Sequence, residues 1–232
     1  MFGKNPLRPV VKDTGATLSV HSIFETIQGE GPLAGAPSVF VRLWGCHLHC
    51  TFCDTDFESV NDALTIDRIV AKVAKQVLVV ITGGEPLRQN IAPLCCALVS
   101  AGHHVQIETA GNLPFQDSIP PYGVDVVISP KTHSIHESLL PVTTAFKYII
   151  SAKQILGEDG LPITNTQDLE GKSRPLARPT QSPDWHIIPV YLQPMDEYSD
   201  EANKVNRALC VALSLKHGYR ISLQQHKILG IE

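Results

Sequence analysis

Cys46, Cys50 and Cys53 stand in the run Trp44-Gly45-Cys46-His47-Leu48-His49-Cys50-Thr51-Phe52-Cys53-Asp54-Thr55, a C-x3-C-x2-C spacing with no fourth cysteine nearby. A metal site built from them is one ligand short. Three thiolates can hold three corners of a [4Fe–4S] cube and leave the fourth iron open to a small molecule, as a catalytic zinc site keeps an open position. The competing reading is structural zinc, because both spacings suit zinc and His47 or His49 would supply a fourth ligand. Each histidine directly follows or precedes a cysteine, and adjacent side chains point apart, so the iron–sulfur reading is preferred.

Those cysteines need elements to hold them. Residues 65–75 carry Ile66, Ile69, Val70 and Val73 at i, i+3, i+4 and i+7 behind Thr65 as N-cap, which predicts a helix. Residues 77–81 are wholly apolar, as a strand buried on both faces requires, and run into Thr82-Gly83-Gly84-Glu85-Pro86. Leu87, Ile91, Leu94, Cys95 and Leu98 predict a second helix ending at Gly102, and residues 38–43, 105–109, 124–129 and 145–150 read as further strands. Pro189 within 186–192 argues for an edge strand or bulge. The last helix has Ser199, Asp200 and Glu201 at its start, Val205, Leu209 and Ala212 on its apolar face, and Lys216-His217-Gly218 at its end, before a closing strand at 220–224.

This alternation predicts an α/β fold with mostly parallel strands, either an open doubly wound sheet or a partial (β/α) barrel. In both, ligands gather beyond the carboxyl ends of the strands. The cysteine loop, Thr82-Gly83-Gly84-Glu85, Glu108-Thr109, Ser129-Pro130-Lys131, Gln193-Pro194-Met195-Asp196 and Gln225-His226-Lys227 all follow expected strands, so one pocket would collect them.

With 232 residues, 43% hydrophobic, the chain suits one domain over 1–232 with a single core. Residues 151–184 lack a sustained period and read as a loop-rich insertion. Gly171-Lys172-Ser173 within it is no phosphate loop, since the first glycine would fall at Thr166. A net charge of -4 argues against a broad nucleic-acid or membrane surface, and no apolar run approaches the roughly 18 residues a membrane span needs. No apolar stretch follows the early basic residues, so no secretory signal is expected. Clustered and adjacent cysteines fit a reducing cytoplasm better than a disulfide framework, and Cys95, Cys96 and Cys210 read as core residues of helices.

The cysteine spacing on a loop after an early strand, with Gly83-Gly84-Glu85-Pro86 after the next, resembles the radical S-adenosylmethionine (SAM) superfamily. A narrower resemblance spans nearly the whole chain, to the 7-carboxy-7-deazaguanine synthases of queuosine and deazapurine biosynthesis. It rests on Phe24-Glu25-Thr26-Ile27-Gln28-Gly29-Glu30-Gly31, Phe40-Val41-Arg42-Leu43-Trp44-Gly45-Cys46, Cys53-Asp54-Thr55, Thr82-Gly83-Gly84-Glu85-Pro86, Glu108-Thr109-Ala110-Gly111, Ser129-Pro130-Lys131, Phe146-Lys147-Tyr148, Gln193-Pro194-Met195-Asp196 and Ser222-Leu223-Gln224-Gln225-His226-Lys227.

That resemblance implies a partial (β/α) barrel and a lyase that converts 6-carboxy-5,6,7,8-tetrahydropterin to 7-carboxy-7-deazaguanine with loss of ammonia, through a 5′-deoxyadenosyl radical. It implies a [4Fe–4S] cluster on Cys46, Cys50 and Cys53, and Mg2+ at Thr55 completed by substrate and waters. SAM would be held by Phe52, Cys53, Asp54, Gly84, Ser129, Pro130, Lys131, Gln193, Pro194, Met195 and Asp196. The substrate would meet Ile27, Gln28, Gly29, Arg42, Thr82, Glu108, His226 and Glu232. Arg42 is a planar donor suited to a carboxylate, and Gln28 and Glu108 offer edges that could read a pterin. A homodimer and an electron donor such as flavodoxin or ferredoxin complete the implied partners.

Three positions depart from the family pattern. His47-Leu48-His49 replaces a common Asn-Leu-Arg, which would make charge near the cluster pH dependent; Gly230-Ile231-Glu232 stands where a terminal proline is frequent; and Gln225 replaces a frequent Thr. Two other classes compete. A glycyl-radical activase would share the cysteines and glycines but act on a protein, whereas a non-enzymatic zinc module would leave the strand-end polar residues without a purpose.

Overall fold

Short apolar strands separated by helices must have both faces covered, and one sheet meets that need. A computed structural model describes residues 5–73, 78–167, 174–180 and 188–231. Among them, β1 (Thr17–Ile27), β2 (Pro37–Leu43), β3 (Asp62–Thr65), β4 (Leu78–Gly83), β5 (His104–Thr109), β6 (Val124–Ile128), β7 (Thr143–Ile150), β8 (Val190–Pro194) and β9 (Arg220–Ile221) form one nine-stranded sheet in the order β3-β1-β2-β4-β5-β6-β7-β8-β9. Neighbours from β2 to β9 are parallel, while β1 runs antiparallel to β2 and β3. The sheet does not close, so the fold is a partial (β/α) barrel.

Side-chain alternation along each strand divides the work. Val39, Val41 and Leu43, Val79 and Ile81, Val105 and Ile107, Phe146, Tyr148 and Ile150 enter the core with α1 (Ile66–Lys72), α2 (Ala92–Ser100) and α3 (Asp200–His217). The intervening residues line the concave face. Val127, Ala145 and Tyr191 form a small apolar floor there, and Arg42, Thr82, Glu108, Lys147 and Gln193 stand nearer the carboxyl ends. Parallel register sets Arg42 beside Thr82 and Ile149 beside Gln193.

Several expected elements differ in detail. Leu87 and Ile91 are buried as the periodicity requires, but Leu87 belongs to a separate 3-10 turn at Pro86–Arg88 and Ile91 caps α2, because Pro86 and Pro93 each begin a new helical segment. Residues 186 and 187 lie outside the described residues, as do Val77, Gly171 to Ser173 and Glu232. Strand β8 begins after Pro189 and lies between β7 and β9, so it is neither an edge nor bulged by that proline, whose carbonyl accepts from Phe146 N–H (2.9 Å). The expected closing strand is only the two residues of β9, and α4 (Gln225–Leu229) carries His226 and Lys227.

The caps of α3 are as expected: Ser199 Oγ accepts from Ala202 N–H, and Gly218 takes the left-handed conformation at φ 75°. Its buried face is rotated by one residue. Asn206, Cys210 and Leu213 face inward, Leu209 is half-buried, and Val205 and Ala212 are exposed. The reason is Asn206, which accepts from Ala152 N–H (2.8 Å) and donates to Met195 O (3.0 Å) and Glu197 Oε1 (3.1 Å). Buried backbone groups need such partners, so a polar residue displaced the apolar stripe from the core. Cys95 and Cys210 are fully buried core residues, and Cys96 donates to Ser118 O (3.3 Å). Among the described residues no helix is long and apolar enough to cross a membrane.

Asn206→Leu is expected to lower unfolding free energy by about 2–4 kcal/mol, since it strands buried backbone groups. Lys204→Ala on the exposed face should change it by less than about 0.5 kcal/mol. Urea denaturation followed by circular dichroism measures both.

Candidate functional site

Strand β2 delivers the cysteine loop, and the turn after β4 supports it. Gly84 N–H donates to Leu43 O (3.2 Å) and Glu85 N–H to Gly45 O (3.2 Å), laying the two strand ends together. A Cβ on Gly84 would fall 2.1 Å from Gly45 O and 2.9 Å from Cys46 Cβ, so this approach requires glycine. Arg88 fixes the loop's base by donating to Trp44 O (2.7 Å) and Pro9 O (2.8 Å). Glu85 is buried and points back into the scaffold, where it accepts from Thr109 Oγ1 (2.6 Å), Ala110 N–H (2.8 Å) and Leu87 N–H (3.1 Å).

The three cysteines carry free thiols and line one cavity of about 280 Å³. Burial, with the Glu85 charge adding to it, pushes the Cys46 thiol up, and burial does the same to Cys53. Both therefore remain protonated until a metal takes the proton's place. Among the described residues no three His, Cys, Asp or Glu side chains are gathered tightly enough for one metal ion. Three thiols on one cavity wall, each as a thiolate, could take one iron apiece of a polynuclear cube. His47 Nε2 pairs with Asn112 Oδ1 (3.1 Å), and burial lowers its pKa.

Across the cavity stands a buried charge relay. Lys147 Nζ donates to Glu30 Oε2 and to Glu108 Oε2 (3.0 Å). Glu108 Oε1 accepts from Gln28 Nε2 (3.0 Å) and Gln106 Nε2 (3.0 Å), while Glu30 Oε1 accepts from Gln193 Nε2 (3.2 Å) and Gln224 Nε2 (3.0 Å). Burial by itself would raise the Glu30 carboxyl, but the charge and hydrogen bond of Lys147 outweigh it and hold the pKa at about 2. Burial opposes charge on Lys147 too, and the two carboxylates reverse that and raise it. Arg42 lies over the Phe24 ring at 5.1 Å, and Phe24 stacks on Phe40. A planar aromatic or carboxylate-bearing ligand would meet both apolar and cationic surface there.

Nearly all residues singled out in the sequence reach this cavity. Ile27, Gln28, Arg42, Thr82, Glu108 and His226 line it, as do Phe52, Cys53, Asp54, Thr55, Gly84, Ser129, Lys131 and Gln193 to Asp196. Gly29 and Pro130 do not; both are buried behind its wall. Gly29 instead makes room for His226, whose Nδ1 would lie 2.2 Å from a Cβ there. Burial lowers the pKa of His226, partly opposed by Glu30, and burial lowers that of Lys131, whose ammonium donates to Ser129 O (3.0 Å). Glu30, Lys147, Gln224, Asn5, Phe24 and Phe40 also line the cavity, with no role assigned to them from sequence. The lone lysine inside the apolar strand 145–150 was the available signal, because an uncompensated charge there could not be buried.

Removing the ammonium should expose this balance. Lys147→Met leaves two buried carboxylates and is expected to cost about 3–5 kcal/mol of stability at neutral pH. The depressed Glu30 pKa contributes stability that is whole above its ordinary value of 4.5 and lost as pH falls toward about 2. In Lys147→Met burial is opposed only by the smaller effects of the Gln224 hydrogen bond and His226, so acid unfolding should begin at higher pH than in the parent; urea titrations from pH 2 to 7 measure both effects.

Comparisons with known proteins agree with this geometry. No protein-family model matches the chain. A 7-carboxy-7-deazaguanine synthase of Rhodospirillum rubrum is 42% identical over 241 residues, covering 100% of both chains. Its counterpart in Rickettsia prowazekii is 44% identical over 247 residues, covering 100% of this chain and 96% of the relative. The crystal structure of QueE from Escherichia coli superposes with a TM-score of 0.64 at 22% identity, over 89% of this chain and 93% of that one, and so shares the fold. Identity of this order, sustained from one end of both sequences to the other, means that the chain belongs to the 7-carboxy-7-deazaguanine synthase family.

Proposed function

We propose that the chain converts 6-carboxy-5,6,7,8-tetrahydropterin to 7-carboxy-7-deazaguanine with release of ammonia, as a radical SAM carbon–nitrogen lyase of queuosine biosynthesis. The observation that carries this reading is that three free cysteines, one ligand short of closing a cluster, share a cavity with Arg42 and the Glu30–Lys147–Glu108 relay. When bound, the [4Fe–4S] cluster and SAM supply a 5′-deoxyadenosyl radical that removes a hydrogen atom from the substrate.

The chain's own groups bind and orient. Arg42 pairs with the substrate carboxylate, and Gln28 and Glu108 read the pterin edge, with Glu108 held in place by Lys147 and the Gln28 amide. Thr82, His226 and Ile27 complete that wall, with Gly29 making room for His226 behind it; Glu232 lies outside the described residues. Phe52, Cys53, Asp54, Gly84, Ser129, Lys131 and Gln193 to Asp196 bind SAM, with Pro130 stiffening its segment from behind. The Thr55 hydroxyl, 3.2 Å from Asp54 Oδ1 at the cavity wall, would hold Mg2+ together with the substrate carboxylate and waters.

Partners follow from the surface and the thiols. A low-potential donor such as flavodoxin or ferredoxin reduces the cluster, and free cysteines suit a cytoplasmic location. Helix α3 leaves Val205, Ala208, Ala212 and Leu215 exposed at i, i+3, i+7 and i+10, with Leu215 84% exposed. Such a seam supports a homodimer paired along α3.

Anaerobic reconstitution should give iron and sulfide without zinc, and the loaded chain should form 5′-deoxyadenosine and a deazapurine from the carboxypterin; zinc without sulfide would sink the reading. Arg42→Ala is expected to raise KM about 10- to 100-fold through the lost charge-assisted bonds. Sedimentation should find a dimer that Leu215→Glu converts to monomer, and a monomeric parent would refute the seam.

A further inference from the structure

The segment after β7 returns to the cysteine loop. Thr166 N–H donates to Lys131 O (3.3 Å), Thr166 O accepts from Thr51 N–H (3.1 Å), and Cys50 and Gln167 form an isolated antiparallel bridge. The Gln167 side chain is then clamped at both ends. Its Oε1 accepts from His49 N–H at 2.8 Å, and its Nε2 donates to Cys50 Sγ at 3.2 Å. The first bond decides the second: an amide whose oxygen is taken by a backbone N–H must present its NH2 group at the other end. Gln167 N–H donates to Asn165 Oδ1 (3.2 Å), which fixes the residue's own backbone.

The other N–H group of that amide reaches Thr166 Oγ1 (3.3 Å). The Thr166 hydroxyl has one proton and two acceptors within reach, Cys50 Sγ and Lys131 O, each at 3.4 Å. Gln167 is therefore the principal donor to the sulfur and Thr166 a shared one. Among the described residues the other two sulfurs have backbone partners, Cys46 Sγ accepting from Leu48 N–H (3.4 Å) and Cys53 bonding at Thr55, with Asn5 Nδ2 4.0 Å from Cys53 Sγ.

We propose that Gln167, assisted by Thr166, sets the reduction potential of the bound cluster through the sulfur of Cys50. This rests on reading the three cysteines as cluster ligands. An N–H aimed at a ligating thiolate stabilises the more negative state and so raises the potential. Reduction adds one electron from a low-potential one-electron donor, and no bond or proton is exchanged with Gln167. It is a positioning residue, and its work is to make the cluster easier to reduce.

The test is a potentiometric titration of the anaerobically reconstituted full chain, followed by electron paramagnetic resonance without SAM, after iron and sulfide analysis. Gln167→Leu removes the donor and should shift the midpoint to more negative values at unchanged iron content. Gln167→Glu keeps the acceptor for His49 N–H but sets a carboxylate beside the sulfur, and should shift it further. A parent-like midpoint in Gln167→Leu with a full cluster overturns the proposal; should that variant hold no cluster, the same criterion applies to Thr166→Val. A parent chain that binds no iron and sulfide would instead refute the cluster reading itself.

Discussion

One buried ammonium connects the parts of the chain that build the concave face. Lys147 lies mid-strand in β7, Glu30 follows β1, and Glu108 ends β5, so their ion pairs join segments far apart in sequence. Lys147 holds the Glu30 carboxyl well below its ordinary range, and the amides of Gln28, Gln106, Gln193 and Gln224 converge on the remaining oxygens of the two carboxylates that Lys147 orients. The inner wall is polar because its charges are balanced internally. A ligand can therefore be read by fixed donors and acceptors instead of by loose water.

The cysteine loop depends on a steric constraint of a different kind. Bare backbone at Gly84 lets the β4 turn touch Gly45 and Cys46, and the buried Glu85 beside it stitches β4 to β5. The cysteines, the strand-end polar residues and the relay thus share one cavity walled by parallel strand ends, as connections in a parallel sheet dictate.

Much of this was legible in sequence because strand-end position and residue chemistry coincide. Alternation along β2 gives Arg42 a face, and the cysteine spacing gives a metal class. The errors have physical causes. Val205 and Ala212 fit the helical period of α3 as well as Leu213 does, and only the backbone groups of Ala152 and Met195 explain why Asn206 went inside. Gly29 matched a substrate position but serves as clearance for His226, a contact between residues nearly the whole chain apart.

The sequence by itself determined the class of chemistry: three thiolates short of a full set, glycines where backbone must approach, and polar residues after apolar runs. Those are local properties, set by residue type and spacing. Tertiary structure alone decided which charges balance, which face of α3 is buried, and that Gln167 of the loop-rich segment faces Cys50. Such pairings form only when the sheet has brought distant segments together, and no periodicity within a segment encodes them.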